Sequence, residues 1–110
     1  MLTVYGLTKC TTCQKAVDEL RDLGHEVTFF DVRDDGISDD TLMAALAQVG
    51  ERKLLNRASY TWRGLTVAEQ AGDPLQTLKA HPSLMKRPLI VDGDKITAGW
   101  TKATKTALSP

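Results

Sequence analysis

No stretch of this 110-residue chain is long and apolar enough to cross a bilayer. Nor do its first residues show a charged segment followed by a long apolar run, so neither a membrane anchor nor a secretory leader is expected. Charge of one sign is not in excess: 14 basic residues balance 14 acidic ones. That balance argues against direct nucleic-acid binding, which usually brings a basic surplus. Cysteine is scarce, two residues in all, and both lie in one motif, unlike the pattern of a secreted disulfide scaffold. There is no second cysteine pair, and His25 and His81 lack the short spacing of a zinc site. The four prolines and eight glycines mark no linker, and no repeat or low-complexity tract divides the chain. What is present is an ordinary globular composition, 42% hydrophobic and 25% charged. It leads us to expect one cytoplasmic, monomeric domain over residues 1–110, with no metal and no tightly bound cofactor.

The chemistry is concentrated in Thr8-Lys9-Cys10-Thr11-Thr12-Cys13. Ahead of it, Leu2-Thr3-Val4-Tyr5 is β-prone and ends at Gly6. Behind it, Cys13, Ala16, Val17, Leu20 and Leu23 recur with a helical period. The cysteines therefore sit where a strand hands over to a helix, Cys10 at the helix N-terminus and Cys13 one turn in on the same face. Unpaired N–H groups and the dipole there favour a thiolate at Cys10, and Lys9 adds a positive neighbour. A thiolate with a second sulfur in reach can attack a disulfide and be released by that second sulfur. Two cysteines three apart are sometimes only small core residues, but the strand-then-helix setting is the one a redox pair requires. A phosphatase-type loop needs an Arg six residues after its nucleophile, and that position is Ala16.

Further along, Gly24 stops the first helix, and 25–32 reads as a strand with apolar residues on both faces, Val27 and Phe29 against Phe30 and Val32. Strand, helix and strand with short links form a βαβ unit with parallel strands. Ser38 is an N-cap followed by Asp39 and Asp40, with a stripe of Leu42, Met43, Leu46 and Val49 closed by Gly50. Lys53-Leu54-Leu55-Asn56 reads as one helical turn. Arg52, Lys53, Arg57 and Arg63 concentrate positive charge, as either a solvated face or an anion-binding one. Thr66 and Glu69 match a capping box. Asp73-Pro74 starts a helix with Leu75 and Leu78 on its apolar side, stopped by His81-Pro82. Both histidines lie beside turn signals and read as surface or capping groups. Leu89-Ile90-Val91 and Lys95-Ile96-Thr97 flank Asp92-Gly93-Asp94 as a β-hairpin, and 101–108 reads as a last amphipathic helix. This order is α/β and fits a thioredoxin-like fold, with a mixed four-stranded sheet and a helical insertion at about residues 36–84. In that fold a cis-Pro stands where Pro88 does, beside the active cysteine, and Arg87 would face the Cys10 pocket.

Several segments resemble the arsenate reductase (ArsC) family, including its Spx/MgsR regulators and small YffB-type proteins. They are Thr3-Val4-Tyr5-Gly6 before Cys10, Gly36, Leu54-Leu55-Asn56 with Trp62-Arg63, His81-Pro82, Lys86-Arg87-Pro88-Leu89-Ile90-Val91, and Ile96-Thr97-Ala98-Gly99-Trp100. The resemblance covers nearly the whole chain. It implies that Cys10 is the reactive cysteine, that Arg87 before a cis-Pro binds an anion, and that Cys13 is the second cysteine of the Spx type. Arsenate reductases hold the oxyanion with three arginines. Here the one expected near Asn56 is absent, although Arg57 is adjacent, and the one expected near Ala98 to Trp100 is missing. The reading is then a small thiol–disulfide oxidoreductase with Cys10 as nucleophile and Cys13 as resolving thiol. Lys9, Arg57, Arg87 and Pro88 shape the anion site, and glutathione is the co-substrate or a thioredoxin- or glutaredoxin-type protein the reductant. Two alternatives stand beside it. One is an Spx-like switch docking on the RNA polymerase alpha subunit, where Gly50 matches a docking glycine yet also serves as a helix stop. The other is a glutaredoxin-linked arsenate reductase.

Overall fold

β1 (Leu2–Gly6) is the strand on which the rest is assembled, as a computed structural model shows. Residues 1–108 are described; Ser109 and Pro110, the last of the expected domain, lie outside the described residues. Leu2, Val4 and Gly6 point to one face of β1 and are buried, while Thr3 and Tyr5 alternate to the other. β1 pairs in parallel with β2 (Val27–Asp31), the expected result of a βαβ crossover through α1 (Thr11–Asp22). On its other side β1 pairs antiparallel with β3 (Leu89–Asp92), which turns through Gly93 into β4 (Lys95–Ala98). The sheet order is β2-β1-β3-β4.

Between β2 and β3 lie five helices: α2 (Asp39–Val49), α3 (Glu51–Leu54), α4 (Tyr60–Arg63), α5 (Val67–Gln70) and α6 (Pro74–Ala80). A 3-10 turn (Pro82–Leu84) follows them, and α7 (Lys102–Leu108) closes the described chain. Sequence signals set these boundaries. Ser38 accepts from the Thr41 N–H, Thr66 and Glu69 close a full capping box, and Asp73 caps the helix that Pro74 begins. Gly50, at φ 89°, separates α2 from α3, and the left-handed conformation there costs a glycine nothing.

The two faces of the sheet carry two cores. Leu2, Val4 and Ile90 pack under Val17 and Leu20 of α1 and Leu108 of α7. Leu89 and Val32 pack under the helical lobe with Leu42, Ala45, Leu54, Leu55, Leu78, Leu84 and Met85. No helix among the described residues is long and apolar enough to cross a membrane.

Four details differ from the sequence reading. β2 is an edge strand, and Phe30 is exposed on its open face, where it stacks on Tyr5 with centroids 5.6 Å apart. The strand is therefore not covered on both sides. Met43 lies at the rim of the α2 stripe and is exposed, and Ala45 takes the buried place. Leu23 is the C-cap of α1 and also exposed, since the helix runs out before that turn reaches the sheet. The turn expected at Lys53 to Asn56 begins and ends two residues earlier, because Leu55 leaves the helix to form an extended bridge with Met85.

Leu54 is completely buried in the lobe core. Leu54→Ala should cost about 2–5 kcal/mol, read as a lower urea midpoint with an unchanged slope.

Candidate active site

Cys10 is the N-cap of α1, half-buried and in extended conformation (φ −84°, ψ 112°). Its backbone N–H donates to the Leu7 carbonyl at 3.0 Å, and its own carbonyl accepts from Gln14 N–H at 3.1 Å. The loop is thus pinned at the point where the strand becomes a helix. Cys13 is fully buried, and both thiols are free. Its sulfur lies directly on β1: a Cβ placed on Gly6 would come within 2.5 Å of the Cys13 Sγ. Only glycine at that position lets α1 seat this deeply.

The two thiols titrate in opposite directions. Burial pushes Cys10 upward, but hydrogen bonds from the Cys13 thiol and backbone N–H, the Arg87 charge and the Thr12 N–H outweigh it, and the net shift is down. Burial likewise pushes Cys13 up, to about 11, and the neighbouring Cys10 adds to it. The Arg87 guanidinium, half-buried, is anchored by donating to the Ser83 carbonyl at 3.1 Å. Its approach depends on a splice between the lobe and the segment before β3. Asn56 N–H donates to Leu84 O at 2.8 Å, and Lys86 N–H to Leu54 O at 2.7 Å. The Arg87–Pro88 peptide is cis, and Pro88 is fully buried while its carbonyl accepts from Gly99 N–H.

The structure brings Cys10, Cys13 and Arg87 together, with Pro88 following Arg87 across the cis peptide. It puts the other two anion-site candidates elsewhere. Lys9 is exposed and lines an open pocket with Leu7, Thr8, Asp31, Arg33 and Asp34. Arg57 pairs with Glu51 at 3.0 Å and stacks over Trp62 at 5.4 Å.

Asp31 was not foreseen. It closes β2, is only 8% exposed, and its Oδ2 accepts from both the N–H and the hydroxyl of Thr8, each at 2.8 Å. Its Oδ1 accepts from Arg33 N–H at 2.8 Å and Asp34 N–H at 3.3 Å. The Thr8 backbone and hydroxyl bonds, with those from Arg33 and Asp34, hold the carboxyl down at about 2 despite its desolvation. A buried carboxylate tied to the loop two residues before Cys10 is a positioning group for that loop. The only sequence signal was an acidic residue ending an otherwise apolar strand.

The site and sheet together define a thioredoxin-like protein with a cysteine pair at the first strand–helix junction and an arginine before a cis-proline. The ArsC family model matches residues 5–107. An uncharacterized protein of Haemophilus influenzae is 36% identical, with 93% of each chain covered. The global transcriptional regulator Spx of Bacillus subtilis is 28% identical over 93% of this chain and 82% of its own. A solved YFFB protein superposes with a TM-score of 0.90 at 28% identity, covering all of both chains. The chain belongs to the ArsC family.

Two measurements check this geometry. Iodoacetamide should modify Cys10 with a midpoint below the ordinary thiol value of 9.0, while Cys13 reacts only near 11; faster labelling of Cys13 would reverse the assignment. Asp31 has its folded pKa lowered from 3.8 to about 2. Its contribution is therefore complete above pH 3.8 and lost as pH falls toward 2, because the unfolded chain takes up the proton first. Stability should rise with pH across that window, and Asp31→Asn should flatten the rise.

Proposed function

We propose that the protein is a thiol–disulfide oxidoreductase in which Cys10 is the nucleophile and Cys13 the resolving thiol, with glutathione as co-substrate. The observation that carries the reading is the opposed titration of two thiols one turn apart, with Arg87 beside them. The Cys10 thiolate attacks one sulfur of a mixed disulfide. A new Cys10–S bond forms, the old S–S bond breaks, and the leaving thiolate takes up a proton. Cys13 then loses its proton and attacks the Cys10 sulfur. This expels the second thiolate and leaves a Cys10–Cys13 disulfide, two electrons having passed to the substrate. Two molecules of glutathione restore the pair and become glutathione disulfide. Arg87 holds a substrate carboxylate with a planar fork that lysine cannot reproduce, and Pro88 forms the pocket wall. Lys9, exposed, and Arg57, held by Glu51 and Trp62, take no part in these steps.

A second reading is favoured by the kinship with Spx. In it the same pair is a switch and the protein docks on the RNA polymerase alpha subunit, with the turn at Gly50 in the contact. Arsenate reduction ranks third, since one expected arginine is missing and Arg57 is engaged with Glu51 and Trp62.

A Cys13→Ser variant used as bait in cell lysate separates the first two readings. Trapped mixed disulfides through Cys10 are expected; polymerase subunits retained without a disulfide would favour the switch. Arg87→Lys should slow turnover of glutathione mixed disulfides about tenfold, the equivalent of one charge-assisted hydrogen bond of about 1.4 kcal/mol. Full activity in that variant would remove Arg87 from the site. Arsenate, assayed in parallel, should be turned over poorly.

A further inference from the structure

β4 is the second edge of the sheet, and its outer side is only half covered. The bond from Gly99 N–H to the Pro88 carbonyl, 2.9 Å, fixes the phase of the β3–β4 ladder. With Ile90 opposite Thr97, the backbone groups of Thr97 turn inward to β3, and those of Ile96 and Ala98 turn outward. Gln48 of α2 meets the first part of that edge. Its side-chain amide donates to the Asp94 carbonyl at 2.7 Å and accepts from Ile96 N–H at 2.9 Å. A residue in a parallel neighbouring strand does the same: it donates to one residue and accepts from the residue two further on. Gln48 thus acts as one rung of a further strand. The next rung would use the Ile96 carbonyl and the Ala98 N–H, and neither meets a partner among the described residues.

A groove of about 560 Å³ runs along this open rung. Its wall on the lobe side carries Arg52, Lys53 and Lys86, and its other wall carries Thr101, Ala103 and Thr104 at the start of α7. No Asp or Glu lines it, and the ion pairs of the described residues use other cations. The groove is positive along one wall and neutral along the other. Such a field acts on charges spread along a chain and needs no enclosed anion site.

We propose that this edge takes up an extended acidic segment of a partner protein as a parallel strand. One residue of the segment donates to the Ile96 carbonyl and accepts from the Ala98 N–H, continuing the rung of Gln48. Side chains alternate along a strand, so every second residue faces the basic wall and is Asp or Glu, while those between face the threonines and are small. A second copy of this chain does not meet these demands. Two-fold pairing sets β4 antiparallel to its mate and calls on both backbone groups of Ile96, whose N–H Gln48 already holds. It would also bring two basic walls together. Neither cysteine lines the groove, so the inference stands apart from the thiol chemistry.

The test titrates the full chain with two capped octapeptides, one alternating Glu and Thr and one alternating Lys and Thr, followed by amide shifts and amide hydrogen exchange. The acidic peptide should give saturable shifts at Ile96, Thr97 and Ala98 and slow exchange of the Ala98 N–H about tenfold at saturation. Added salt should weaken it. Arg52→Gln with Lys53→Gln should weaken binding about fivefold, the worth of two exposed charge contacts. Ala98→Pro removes the outward N–H at a place where an edge strand tolerates proline, and it should remove binding while Cys10 alkylation stays unchanged. Equal binding of the basic peptide, shifts that do not saturate, or full affinity in a folded Ala98→Pro variant would each overturn the proposal. If that variant does not fold, exchange in the parent decides: an Ala98 N–H left unprotected by saturating acidic peptide would show that Gln48 and the basic wall only guard the edge.

Discussion

The contact between Gly6 and Cys13 is the constraint on which the site depends. Because β1 has no side chain at its last position, the first turn of α1 can lie with a sulfur directly on the strand backbone. That depth removes Cys13 from water and raises its pKa, and it fixes Cys10 at the mouth of the strand–helix turn. A methyl group at Gly6 would lift the helix start and loosen both effects. Asp31 secures the same turn from the other side by holding Thr8, so the loop carrying Cys10 is clamped at two points on adjacent strands.

The helical lobe does more than fill the space between β2 and β3. Its buried leucines seat it on the sheet, and the splice of Leu54–Asn56 with Leu84–Lys86 aims the next residue, Arg87, at the thiols. An exposed arginine would be screened by water; one half-buried and anchored on Ser83 acts on Cys10 through a lower effective dielectric. Lobe packing and thiol chemistry are thus linked through backbone hydrogen bonds, with no direct contact between the lobe core and the sulfurs required.

Local chemistry made much of this legible in the sequence. The strand–Cys–helix junction, the caps at Ser38, Thr66 and Asp73, and the hairpin around Gly93 are written within a few residues each, and they appear where those residues stand. What depends on distant partners was harder to read. Phe30 looked like a core residue because alternation cannot tell an edge strand from a central one, and Met43 because a helical stripe does not reveal its own rim. Asp31 was invisible because its role rests on Thr8, 23 residues earlier. Arg57 and Arg87 both read as anion-site candidates, Arg87 from its place before Pro88 and Arg57 from a local cluster of positive charge. The engagement of Arg57 with Glu51 and Trp62 depends on the fold and was not legible, while the charge of Arg87 acts on Cys10 from the place its sequence position suggested.

The coupling between the thiols also orders the two steps of the proposed exchange. While Cys10 is a thiolate, it holds the Cys13 proton in a hydrogen bond, and its charge helps push Cys13 to about 11. A thiol so raised does not compete as a nucleophile at neutral pH. Once Cys10 enters a mixed disulfide its charge is gone, and with it the part of the Cys13 shift that came from Cys10. Burial still opposes ionisation, but Arg87 and the Leu7 N–H, which both lower the Cys13 pKa, are then no longer opposed by the charge of Cys10 and its hydrogen bond. The first step therefore eases the second, and Cys13 stays protected from premature oxidation until a partner is attached. That order serves a turnover enzyme and a redox switch equally well, so the distinction between them lies in what docks beside Cys10 rather than in the sulfur pair itself.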